Sequence, residues 1–82
     1  MVTATTNSHK AKSLTKRKKG ETSRIVGFQD PQIAGKLLSM GILPGDAIRL
    51  VRQAPFGGVW YVQADNLLIA LRKKEVACIL TT

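Results

Sequence analysis

The sequence is poor in the groups that carry out chemistry. Its 82 residues include five acidic side chains, one histidine (His9) and one cysteine (Cys78). General acid–base catalysis needs carboxylates or imidazoles converging in a cleft, and a transition-metal centre needs three or four ligands at close spacing. Neither pattern is present, so the sequence predicts no catalytic residues, no resident cofactor and no metal ligands. A lone cysteine excludes an internal disulfide, which fits a reducing compartment. Cys78 stands before Ile79 and Leu80 and reads as a small buried hydrophobe rather than a nucleophile. The glycine pair Gly57-Gly58 lacks the downstream Lys-[Ser/Thr] and helix of a phosphate-binding loop, so it reads as a turn.

Long apolar runs are equally scarce. The uncharged run Asn66 to Leu71 falls far short of the roughly 20 residues a membrane-spanning helix needs. Met1 to Ser13 is polar and basic and lacks the apolar centre of a signal peptide. The expectation is a cytoplasmic protein. At 82 residues one domain is the limit, and such a domain buries only about 60% of its unfolded surface, which leaves little room for a deep active site.

Positive charge is plentiful but unevenly placed. The chain carries +8, of which residues 1–24 contribute seven basic side chains against Glu21, a balance of +6. Residues 1–13 hold almost nothing to bury and read as a flexible basic tail, with the folded unit over residues 14–82. Lys16 to Lys19 reads either as a solvated basic turn or as a contact for phosphates or acidic headgroups. No aromatic rings are interleaved there, as single-strand binders require. The main reading therefore expects no nucleic acid; its alternative is a nucleic-acid-binding small β-barrel using the basic N-terminal tail.

Local patterning predicts mainly β-structure. Glu21 to Phe28 reads as a first strand, with Gly27 a bulge or close approach. Asp30 as N-cap, Pro31 at the first helical position and Gly41 at the end punctuate a helix over Pro31 to Met40. Ile33, Leu37 and Met40, with Ala34 and Leu38 beside them, give it one apolar face. Strands follow over Ala47–Gln53, Val59–Ala64 and Leu67–Leu71, separated by Ala54-Pro55-Phe56-Gly57-Gly58 and by the turn Asp65-Asn66. A helical turn at Lys73–Ala77 and a short strand Cys78–Thr81 complete the chain. Five strands with one helix inserted after the first suggest a small, partly open barrel.

Three segments are similar to a known family. Leu37 to Asp46 (LLSMGILPGD) resembles the L-x-x-[LM]-G-[IVL]-x-P-G segment of ferrous iron transport protein A, the FeoA family. Ala54 to Gly57 resembles its A-P-[LF]-G loop, and Ala70 to Val76 its A-L-R-x-x-E-A segment. Leu14 and Gly20-Glu21 match its opening pattern, while Val59, Asn66 and Val76 stand where proline, glycine and alanine are usual. The resemblance implies an SH3-like barrel that works with the FeoB permease, a membrane protein with a cytosolic GTP-binding domain. Iron(II) would be handled by that transport system, with no chemistry in this chain.

The candidate partner-binding residues are Leu43, Pro44, Pro55, Phe56, Gly57 and Tyr61: an apolar set at loop tips and on an outer strand face. For Phe56 a second reading stands, in which the ring folds back to plug the barrel. Trp60 shares a face with Val62 and reads as core. Gly41 and Gly45 are assigned structural roles in turns. Arg72 is read as structural too, its guanidinium fork bonding carbonyls or a carboxylate such as Asp46 or Glu75; the alternative places it on the docking face.

Overall fold

The computed structural model describes residues 11–82. Six strands form one antiparallel sheet: β1 (Lys12–Ser13), β2 (Thr22–Phe28), β3 (Ala47–Gln53), β4 (Val59–Ala64), β5 (Leu67–Arg72) and β6 (Ile79–Thr81). Two helices, α1 (Pro31–Ser39) and α2 (Lys73–Cys78), follow β2 and β5. Strand order is β1-β6-β2-β3-β4-β5, so the sheet curls without closing. Six strands replace the five expected. The added one, Lys12–Ser13, falls where the sequence predicted tail: Lys12 pairs with Thr81 and Ser13 with Leu80. The rest of that expected tail, including His9, lies outside the described residues.

β2 does the bending. Thr22–Arg24 pair with β3 and Ile25–Phe28 with β6, with a register shift between Ile25 and Gly27 that leaves Val26 out of the ladder. A bulge lets one strand serve two halves of a curved sheet. Inside the curl lie Leu14, Ile25, Leu37, Ile42, Ile48, Leu50, Val62, Leu71, Val76 and Ile79, all buried, with Trp60 and Phe28 packed at the margin.

Helix α1 begins as predicted. The Asp30 carboxylate accepts from the Gln32 and Ile33 N–H groups, and Pro31 takes the first position. It ends in a Schellman motif, with Gly41 N–H donating to Leu38 O and Ile42 N–H to Leu37 O, both at 3.0 Å. Gly41 has φ 87°, and the flanking Leu37 and Ile42 are both fully buried. Of the apolar face read from sequence, only Leu37 is fully buried; Leu38 and Met40 face water.

Candidate partner-docking site

The β3–β4 hairpin carries the most exposed large apolar side chain among the described residues, Phe56. Its tip is closed by backbone bonds: Ala54 N–H to Val59 O at 2.8 Å and Gly57 N–H to Ala54 O at 3.0 Å. Phe56 and Gly57 both adopt left-handed backbone, φ 71° and 72°. Glycine takes that conformation freely; phenylalanine does so at a cost of about 1–2 kcal/mol. The geometry turns the Phe56 ring outward, and it is fully exposed. It does not plug the barrel. A Cβ on Gly57 would meet only the flexible end of Gln53, Nε2 at 3.3 Å, so it is the φ of 72° that disfavours other residues at that position.

Beside the tip, Arg52 pairs with Tyr61 across the hairpin, and its guanidinium carbon lies 4.9 Å from the ring centroid. That stacking fixes a cation against an aromatic face. Arg52 was not among the residues singled out from sequence: the register shift between Leu50 and Arg52 decides which residue faces Tyr61, and a strand pattern alone does not reveal a bulge. The Trp60 Nε1–H is buried nearby without an acceptor among the described residues.

Leu43 and Pro44 do not join this group. They belong to the loop before β3, whereas Pro55, Phe56 and Gly57 follow its far end. A seven-residue strand separates the two by about 20 Å. The expected single patch is therefore two. The Leu43 loop is rigid in its own right: Leu43 N–H bonds the Asp46 carboxylate, Gly45 N–H donates to Ile25 O at 2.7 Å with φ 97°, and the Arg24 guanidinium bonds Gly45 O. Both structural glycines thus occupy backbone that other residues adopt poorly.

Arg72 differs from the sequence reading. Its guanidinium makes no hydrogen bond among the described residues, and its side chain is exposed. What the corner uses is its backbone N–H, which donates to Glu75 Oε1 at 2.8 Å. The cation bonded to Glu75 is Lys36, reaching from α1 to form an ion pair with Oε2. Burial of Glu75 raises its pKa, but the Lys36 hydrogen bond, the Arg72 N–H and the charges of both residues outweigh it, so the carboxyl sits below its ordinary value.

The basic run is equally divided. The Arg17 guanidinium turns in and bonds the Thr81 hydroxyl and carbonyl, each at 2.9 Å, while Lys16, Lys18 and Lys19 are exposed. Cys78 is buried and accepts from the Asp30 N–H. Among the described residues no group of three His, Cys, Asp or Glu side chains stands close enough to hold a metal ion, and no helix is long and apolar enough to cross a membrane.

Residues 12–82 match the family model of the FeoA domain. Among solved structures, a FeoA-like protein from Clostridium acetobutylicum is similar at TM-score 0.79 and 23% identity, over 88% of this chain and 85% of that one. An iron uptake regulatory protein, FeoA, aligns at TM-score 0.75 and 19% identity, over 88% and 95% of the two chains. The FeoA of Stenotrophomonas maltophilia, described as a prokaryotic SH3 domain protein and crystallised with zinc, aligns at TM-score 0.70 and 26% identity, over 84% and 87%. The fold is accordingly the SH3-like, partly open barrel that the sequence suggested.

Proposed function

Because the chain belongs to the FeoA domain family, we propose that it is a cytoplasmic accessory protein of ferrous iron uptake, which binds the cytosolic part of the FeoB permease and modulates transport without catalysing a reaction. The observation that carries this reading is Phe56, held outward on a backbone-closed tip in a conformation unfavourable for its type. An aromatic ring left in water forgoes about 1.5–3 kcal/mol of burial free energy, which a partner pocket recovers. Tips of this kind, rigid and aromatic, make anchors at the centres of interfaces.

The surroundings indicate the partner's chemistry. Arg52 flanks the tip and stacks on Tyr61; with Pro55 they frame an apolar centre with a cationic border. A complementary surface would have an apolar pocket rimmed by carboxylates. Any GTP chemistry belongs to the permease, and iron(II) is its cargo. Co-purification of the full chain with FeoB under reducing conditions, with and without guanine nucleotide, tests the reading; retention in at least one nucleotide state is the expected result, and no retention in any state refutes it.

A further inference from the structure

The two edges of the sheet meet water differently. β1 is two residues long and carries Lys12, with Lys16 and Lys18 close behind. Short edge strands and lysines keep an edge from pairing with another chain. β5, at the opposite edge, has neither protection within its span. It is six residues long, has no charge between Leu67 and Leu71, no proline, and an unbroken register with β4 from Val59–Arg72 to Ala64–Leu67. Among the described residues, none from Leu67 to Leu71 makes a backbone hydrogen bond outside that ladder. Leu67 and Leu68 are 50% and 64% exposed.

We propose that β5 pairs antiparallel with β5 of a second copy of this chain, extending the sheet across a two-fold axis. Charge order identifies the occupant. Asp65 precedes the strand and Arg72, Lys73 and Lys74 end or follow it. An antiparallel copy brings each acidic end against the other's basic end, twice per dimer, whereas a parallel copy sets like against like. A register centred on Ile69 keeps the two inner faces on one side. It sets Leu68 beside Ala70 of the second copy, where the small side chain leaves room for the leucine, and Leu67 beside Leu71. A single strand pair is a small interface, so association falls in the weak, concentration-dependent class.

Analytical ultracentrifugation of the full chain, from low to high micromolar, tests this. The mass should rise with concentration from 8.9 kDa toward twice that value. Leu68→Lys, placing a charge at the centre of the pairing, should stay monomeric over the same range with unchanged melting. Lys73→Glu should raise the dissociation constant several-fold, more at low salt than at high salt. Leu43→Lys, on an exposed leucine of the loop before β3 and outside the paired strand, should dimerise as the native chain does. A chain monomeric at every concentration overturns the proposal, as does a Leu68→Lys variant that dimerises normally or a Leu43→Lys variant that fails equally. A monomer that instead takes up an unrelated extended peptide along β5 also overturns it.

Discussion

At Glu75, one carboxylate bonds the Lys36 ammonium and caps the Arg72 N–H while only 4% exposed. Glu75→Ala is expected to cost about 1–3 kcal/mol, because both donors lose their acceptor near the corner where β5, α2 and α1 meet. The pH dependence has a definite sign. A carboxyl whose folded pKa lies below its ordinary value of 4.5 contributes stability above that value, lost as pH falls through the folded one. Urea unfolding at neutral and acid pH should therefore show the native chain losing more stability on acidification than Glu75→Gln does. Arginines 17 and 72 should exchange the importance a sequence reading gives them. Arg17→Ala should cost about 1–3 kcal/mol through its lost bonds to Thr81, whereas Arg72→Ala should change stability by no more than about 0.5 kcal/mol. Thermal unfolding of the two variants side by side distinguishes them.

Secondary elements show where local chemistry suffices. The start of α1 is legible because Asp30 and Pro31 act within one turn, and its end because Gly41 supplies a left-handed residue. The same distinction predicts opposite effects for two glycines of this segment. Gly41→Ala should destabilise by about 1 kcal/mol, since alanine resists φ 87°. Gly35→Ala should stabilise by about 0.5–1 kcal/mol, since Gly35 is mid-helix and exposed, and an added Cβ there meets nothing within 4 Å. Chemical denaturation gives both values. Pairings between distant segments were not legible. β1 exists only because Lys12 and Ser13 meet Thr81 and Leu80, and no pattern within two residues announces a strand. The choice of Lys36 over Arg72 as the cation bonded to Glu75 depends on how α1 packs on α2, across 39 residues of chain.

In the whole molecule, the length of β3 divides the candidate site. The apolar loop tips are evident in the sequence because proline and glycine mark them, yet their separation is not, since it requires knowing that both flank one strand from opposite ends. Leu43 and Pro44 lie at one end, on a loop secured by Asp46 and Arg24; Pro55, Phe56 and Gly57 lie at the other beside Arg52 and Tyr61. A small domain has few surfaces to offer, and this one presents a fully exposed Phe56 ring on a backbone-closed tip beside the Arg52–Tyr61 stack. Those features make recognition by the hairpin tip the centre of the account. The most direct measurement is calorimetric titration of the cytosolic part of FeoB with the native chain and with Phe56→Ala, with and without guanine nucleotide. The account predicts saturable binding by the native chain and a loss of about tenfold or more in Phe56→Ala at unchanged melting temperature. Equal binding by the two chains, or none by the native chain in any nucleotide state, would contradict it.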